Sequence, residues 1–450
     1  MRILIDTINL ALERGTGIAT YAKNLCQLNV EVGNTVDVLY EFYAPRNQNA
    51  LLEEMAFYDP QYSVGSTTLD RALEWSSILR QAVWSRPAKA RGLRLNGFVD
   101  ARAIQSRLPA FNRIVTAPLI YRRARSYFRL TGRFMPVITN PMPDIAHWTT
   151  PYPLYVPGVR NVYTVHDVIP LKLPYTTLDN RKEYLGLIKG AMRHADQIIS
   201  VSDTTTRDLL QIAPEAASKI TNTSQSTTLP EALPQNSEMD DLLRNVFRIK
   251  HKEFFVFIGT IEPKKNIGRL IEAYLGSNSP YPLLIVGKKG WLYEGELRPL
   301  SYQSIRTQLD GAEGPSNRVV LVDYVSFPLL VDLMKGARAL LFPSLYEGFG
   351  LPILEAMLCG TPVMTSNDGA MLELAPPGTA LLVNPLDVRE MSRAIEQLGS
   401  DDALCARLSA AGLNRAKNFA WEPYRIKVLE AYDRAIKFAG QKIAPAASTI

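Results

Sequence analysis

The second half of the chain carries six apolar runs, "EFFVFIG", "PLLIVG", "RVVLVDYV", "ALLFPS", "PVMTS" and "ALLVNP". A strand with one wet face alternates apolar and polar residues; a strand that is apolar throughout is covered on both faces. Between these runs, "NIGRLIEAYLG", "FPLLVDLMKGA" and "VREMSRAIEQL" repeat their apolar residues at helical spacing and supply the covers. Strand and helix in alternation predict a parallel, doubly wound α/β sheet. The first half shows the same alternation less cleanly. "RILID", "VDVLY", "DIAHW", "NVYTVHDVI" and "QIISVS" read as strands, and "GIATYAKNLCQLNVEV" and "LDNRKEYLGLIKGAMRHA" as helices. The Ser-, Thr- and Pro-rich "SKITNTSQSTTLPEALPQNSE" between the halves reads as a linker.

At 450 residues the chain suits two domains of about 200 residues each. The expected division is a first Rossmann-like domain over 1–220, with a basic insert at about 80–135, and a linker over 221–237. A second Rossmann-like domain follows over 238–420. A C-terminal helix over 421–440 is expected to pack back on the first domain, leaving a tail over 441–450.

With 46% hydrophobic and 21% charged residues, the chain has the composition of a folded soluble protein. Cys26, Cys359 and Cys405 fit neither a zinc pattern nor a disulfide framework, which points to a reducing compartment. Asp6 interrupts the only apolar run at the N-terminus, so that run reads as a strand and not as a signal peptide. No run reaches the ~20 residues of a spanning helix. The expected location is the cytoplasm, peripherally on the cytosolic face of the inner membrane. Net charge is +6, and thirteen Lys or Arg lie between Arg80 and Arg133 against one acid, Asp100. Trp84, Phe98, Phe111, Tyr121, Tyr127 and Phe128 are interleaved with them. Cations with aromatics suit an anionic lipid surface, or single-stranded nucleic acid.

Open parallel sheets bind ligands outside the carboxyl ends of their strands. After "FFVFIG" comes "TIEPKKN", with Lys264 and Lys265; after "LLFPS" comes "LYEGFG", with Glu347, Gly348, Phe349, Gly350 and Leu351. Pro352 suits the first turn of a helix. Cations beside bare N–H groups at a helix start make a site for a diphosphate. Gly348 and Gly350 are read as stripping the loop so that a ligand can touch backbone. Glu347 and Glu355 repel phosphate but grip vicinal hydroxyls, so a ligand with phosphates between two diols, a nucleotide-sugar, satisfies the set. Glu355, expected on the helix's first turn, would hold the ribose, with simple dipole pairing as its plain alternative. Glu347 would face the sugar.

These residues resemble the retaining glycosyltransferases of family 4, which have the two-domain GT-B fold. Glu347 and Glu355 match the family's Glu-x7-Glu motif within "PSLYEGFGLPILEAMLCGTPV", and "GTIEPKKN" is similar to its diphosphate loop. "RGTGIATYAKNL" resembles its Gly-rich first loop, with Gly15 and Gly17, and "TVHDVIPL" its His-Asp segment, with His166. The resemblance covers roughly 1–40 and 145–435. It implies two Rossmann-like domains facing each other across a cleft. Lys265 and Lys264 would contact the diphosphate, and Gly17 and the 348–351 turn would complete the donor site. His166 would contact the transferred sugar and the reacting centre, its plain alternative being a satisfied core histidine. His147, His194 and His251 are read as structural. The chain departs from the family at Thr20, where Arg is usual, near Thr260, where many members carry Arg, and in "TNTSQSTTL", which lacks a usual Gly.

The implied activity is hexose transfer from a nucleotide-sugar to a glycan or lipid-linked acceptor in bacterial surface polysaccharide synthesis. GDP-mannose is the first expectation for the donor, and UDP-sugars or other GDP-sugars are the alternative. No metal and no further cofactor are expected. A nicotinamide oxidoreductase would want Gly-x-Gly-x-x-Gly directly after the first strand, and "GTGIAT" comes too late. An inactive carbohydrate- or nucleic-acid-binding protein is the other class. Glu347, Glu355 and Lys265 together argue against it, so no nucleic-acid partner is expected.

Overall fold

The protein is described here as a computed structural model covering residues 1–10, 17–42, 50–59, 87–102, 108–229, 243–247, 249–310, 319–323 and 325–437. Gly15, Arg80, Trp84, Arg86 and Arg107, residues 230–237 of the expected linker and the tail lie outside the described residues.

Among the described residues, eleven strands form in the first half. They are β1 (Arg2–Asp6), β2 (Thr35–Tyr40), β3 (Ala88–Lys89), β4 (Arg91–Gly92), β5 (Arg113–Thr116), β6 (Met135–Ile138), β7 (Ile145–Trp148), β8 (Leu154–Tyr155), β9 (Arg160–Val165), β10 (Gln197–Ser200) and β11 (Ile220–Asn222). Eight of them make one sheet in the order β11-β10-β9-β7-β1-β2-β5-β4. It is parallel except where β4 runs against β5. The second half contributes β12 (Phe255–Ile258), β13 (Leu283–Val286), β14 (Val319–Val322), β15 (Ala339–Phe342), β16 (Val363–Ser366) and β17 (Leu381–Val383). They form an all-parallel sheet in the order β14-β13-β12-β15-β16-β17.

The apolar runs sort by position in this second sheet. β12, β13, β15 and β16 are buried along their whole length. β14 and β17 sit at the two edges and are only partly covered, so the expectation of two covered faces fails for "RVVLVDYV" and "ALLVNP". An apolar run demands burial, but strand order decides how much of it is available. The strand order reverses at β12 and β15, which are neighbours although two strands separate them in sequence. Open parallel sheets bind ligands at the carboxyl ends of strands where the order reverses in this way.

The helix Trp421–Lys437 packs on the first sheet: Tyr424, Val428, Ala431 and Tyr432 share a core with Ile3, Ile5 and Val162. Trp421 Nε1 donates to Glu31 at 2.9 Å, and Tyr432 Oη lies 2.8 Å from His147 Nδ1. His147 is fully buried with both ring nitrogens bonded, the second to Thr164, and burial lowers its pKa to about 3.

The basic segment is not the continuous free face that counting charges implied. Arg91 pairs with Glu53 at 2.9 Å, Arg113 with Asp37 at 2.6 Å, and Arg125 and Arg129 both with Glu183 at 2.8 and 3.0 Å. These acids lie outside the segment, so no count within it can find them. Tyr121, Tyr127 and Phe128 are buried in the core, because the helix Ile120–Thr131 turns its aromatic side inward. Arg122, Arg125, Arg129 and Leu130 face out.

Candidate functional site

Two loops meet at the β12/β15 crevice. The first leaves β12 through Gly259 and makes a short turn over Pro263–Lys265. Asn266 ends that turn in the left-handed region, φ 60°, and its Nδ2 donates to the carbonyls of Pro343 and Pro385 at 3.0 and 2.6 Å. Leu345 N donates to the Lys264 carbonyl at 2.8 Å. The lysine turn is thereby fastened to the loop that follows β15.

Lys265 Nζ lies 2.6 Å from Glu347 Oε1 and 4.8 Å from the centroid of the Phe342 ring. Lys264 Nζ lies 3.4 Å from Glu262 Oε1. Burial pushes the Glu347 carboxyl up, but Lys265 and Lys264 outweigh it and hold the carboxylate ionised, below its ordinary value. Burial likewise opposes the charge on Lys264, yet Glu347, Asp167 and Glu262 together raise its pKa. The site is therefore charged but internally neutralised. A diphosphate entering it competes with Glu347 for the two ammonium groups.

The helix Leu351–Leu358 begins right after Gly350, and its N-terminus carries unpaired N–H groups and partial positive charge. The helix described over Gly17–Glu31 comes up against it from the first half: a Cβ on Gly17 would stand 3.3 Å from Leu351 Cδ1.

Glu355 lies on the second turn of its helix, not the first, because the helix starts at Leu351. That position is too far along for strong dipole pairing. It is 8% exposed, and its carboxyl has no hydrogen-bond or ion partner among the described residues. Burial alone raises its pKa to about 8. Phe349 is turned into the core against Phe419, so only its backbone faces the loop.

The glycines of the turn have structural reasons of their own. A Cβ on Gly348 would stand 2.0 Å from the His166 carbonyl oxygen, so its bareness serves the contact between the two halves whether or not a ligand is bound. Gly350 has φ 101°, a conformation that a side chain strains. Around this contact Thr205 Oγ1 donates to the His166 carbonyl at 3.1 Å, Tyr346 Oη donates to Asp208, and Glu373 accepts from Asp203 N at 2.9 Å.

His166 follows β9 and is buried. Its Nε2 lies 2.9 Å from the Thr149 carbonyl, its Nδ1 lies 3.3 Å from Gln225 Nε2, and the Tyr21 ring meets it edge-on at 4.9 Å. Burial lowers its pKa. The histidine is thus satisfied by hydrogen bonds and also stands at the interface of the two halves, so the two readings of it do not exclude one another. Behind it, Asp6 accepts from the N–H and hydroxyl of Thr149, and burial raises Asp6 to about 6. Sequence reasoning missed Asp6, Thr149 and Gln225. Asp6 had a signal, an acid closing an apolar strand; Gln225, in a polar linker, had none.

Two family models match. Residues 15–222 match the model described as Glycosyltransferase Family 4, and residues 239–415 the one described as Glycosyl transferases group 1. The O-antigen chain mannosyltransferase B of Escherichia coli is 30% identical over 278 residues, 61% of this chain and 70% of that one. The serotype-specific mannosyltransferase WbdA of Escherichia coli is 26% identical over 65% of this chain, which spans 35% of that relative's length. Among solved structures, sucrose-phosphate synthase from Thermosynechococcus elongatus superposes with a TM-score of 0.62 at 18% identity, covering 97% of this chain and 99% of that one. HepE from Anabaena, in complex with UDP and glucose, gives 0.61 at 16%, covering 96% and 99%. These two likenesses are of fold.

Proposed function

The chain belongs to glycosyltransferase family 4, and from that membership we propose that it transfers a hexose, with retention, from a nucleotide-sugar to a glycan or lipid-linked acceptor in surface polysaccharide synthesis. The carrying observation is the pairing of Lys265 with Glu347, close to Lys264 and just before the start of the helix Leu351–Leu358 that carries Glu355, at the β12/β15 crevice. GDP-mannose is the proposed donor, supported by relatives named as mannosyltransferases. A UDP-sugar is the alternative. The diphosphate takes Lys265 from Glu347, which frees that carboxylate for sugar hydroxyls. The acceptor hydroxyl attacks the anomeric carbon on the face from which the diphosphate departs. The C–O bond to the acceptor forms as the bond to phosphate breaks, and a departing phosphate oxygen takes the hydroxyl proton. Positioning and charge stabilisation carry the catalysis.

The test is a hydrolysis and thermal-shift screen over GDP-mannose, other GDP-sugars and UDP-sugars. Turnover with one donor class supports the reading. Binding without turnover for every donor and acceptor glycan tried points to an inactive carbohydrate-binding protein.

A pH dependence follows from Glu355. Its carboxyl is protonated at neutral pH in the empty site, with a pKa of about 8. A ribose diol donates to the ionised form, so donor affinity rises with pH up to about 8 and falls by about tenfold per unit well below it. Glu355→Gln flattens this profile, and Glu355→Ala weakens donor binding by about 1.5–3 kcal/mol. Titration calorimetry between pH 6 and 9 measures both; an equal slope in wild type and Glu355→Gln removes Glu355 from the ribose site.

Peripheral association with an anionic membrane, from the cytoplasmic side, is the second part of the proposal. It rests on the outward cations of the helix Ile120–Thr131 and no longer on aromatic insertion. No helix among the described residues is long and apolar enough to cross a membrane. Arg122, Arg125 and Arg129 changed to Gln are expected to weaken vesicle binding by at most about 1 kcal/mol each, and by less at Arg125 and Arg129, whose two charges Glu183 offsets by one. Co-sedimentation with anionic and neutral vesicles, at low and high salt, decides this. Equal recovery in all four conditions rejects membrane binding, and preferential capture of single-stranded nucleic acid redirects the basic face.

A further inference from the structure

Four polar residues line the carboxyl edge of the first sheet: Asp6 at the end of β1, Thr149 after β7, His166 after β9 and Gln225 after β11. They form one hydrogen-bonded row with a fixed direction. The Thr149 carbonyl can only accept, so His166 Nε2, 2.9 Å away, carries the hydrogen. The neutral imidazole then has Nδ1 as its acceptor, and Gln225 Nε2 donates to it at 3.3 Å. That assignment turns the other end of the amide away from the histidine. Gln225 is 5% exposed, and its Oε1 is buried without a hydrogen-bond partner among the described residues; so is the hydroxyl of the next residue, Ser226.

Buried polar atoms are nearly always paired, and exceptions call for a reason. Two adjacent ones, the first bonded to His166, whose carbonyl meets Gly348 of the other half, on a segment held this firmly, point to a ligand. Ser224 adopts φ 59° and its N–H donates to Asn222 Oδ1 at 2.8 Å. On the other side the Ser226 carbonyl accepts from Asn24 Nδ2 at 2.9 Å. Strained backbone of this kind persists where its surroundings over-determine it, and it clusters at functional sites. An amide oxygen accepts and cannot donate, so it repels phosphate and receives a hydroxyl.

We propose that Gln225 is a specificity residue whose Oε1, aimed by His166, accepts a hydrogen bond from a hydroxyl of the transferred sugar, with Ser226 beside it. The inference rests on the proposed transferase reading and adds a contact to the sugar as distinct from the diphosphate.

Calorimetry with wild type and Gln225→Leu, each against GDP and GDP-mannose, tests it. The leucine keeps the bulk and removes both polar atoms. Loss of about tenfold in affinity for GDP-mannose, with GDP binding unchanged, is the expected result. Equal losses for both ligands, or none for either, overturn it. If wild type binds neither, the same pair is run as UDP and UDP-glucose. A wild type that binds no nucleoside diphosphate at all overturns the donor reading on which the proposal stands, whereas a wild type whose nucleotide affinity survives while the sugar effect is absent overturns Gln225 alone. The histidine contact is read independently by ¹⁵N imidazole spectroscopy. His166 is neutral with hydrogen on Nε2 in wild type, and Gln225→Glu, which sets a carboxylate against Nδ1, shifts it toward the imidazolium at neutral pH. Identical His166 spectra in both proteins overturn the hydrogen-bonded row.

Discussion

Lys265→Ala is expected to lower glycosyl transfer by about 10²–10³-fold in a protein that still folds. The ammonium sits 2.6 Å from Glu347 in a site that both halves of the chain close over. As the diphosphate departs, negative charge builds on its oxygens, and a cation held nearby stabilises that state more than the ground state. Removing it also strands the Glu347 carboxylate in a buried position, at a cost of about 1–3 kcal/mol in stability, part of which Lys264 screens. The two effects separate in the double variant Lys265→Ala/Glu347→Gln. Its melting temperature should recover, while its transfer rate should not. A folded Lys265→Ala enzyme with near-normal transfer would take this residue out of the site.

Gly348→Ala is expected to be nearly as damaging, for a different reason. The new methyl group would stand 2.0 Å from the His166 carbonyl oxygen and 2.8 Å from its carbon, both backbone atoms that cannot turn aside. One half must draw back from the other. Overpacking of this order costs about 1–3 kcal/mol, which shifts the equilibrium between contacting and separated halves by roughly 5–150-fold. Transfer should fall by up to that factor, with scattering showing a more open particle and each half still folded. Gly350→Ala makes the control: it strains a left-handed residue inside the second half and leaves the contact with His166 alone. Wild-type compactness with a reduced rate in Gly348→Ala would return the glycine to its first reading, bare backbone for a ligand, and wild-type compactness and rate together would remove both readings.

Much of this molecule was legible before any coordinates. Runs such as "FFVFIG" and "ALLFPS" demand cover on both faces, and helices between them leave a parallel sheet as the economical solution. Glu347, Glu355, Lys264 and Lys265 stood out because acids and cations beside glycines at strand ends have few bland explanations. Such signals are local: each follows from the burial or charge of residues within a few positions of one another. What the sequence could not say concerns partners far apart in the chain. Arg113 reads as a free cation until β2 and β5 pair and bring it to Asp37. Tyr127 and Phe128 read as membrane anchors until their helix lies down on the first sheet. Gly348 reads as ligand clearance until the other half arrives with the His166 carbonyl, and Gln225 reads as linker until β11 and β9 set it beside His166. Periodicity records which side of a segment must leave water. Only the order of strands and the meeting of the two halves decide which neighbours it finds there, because that choice is made by contacts across 59, 76 or 82 positions of sequence, and no local pattern encodes them.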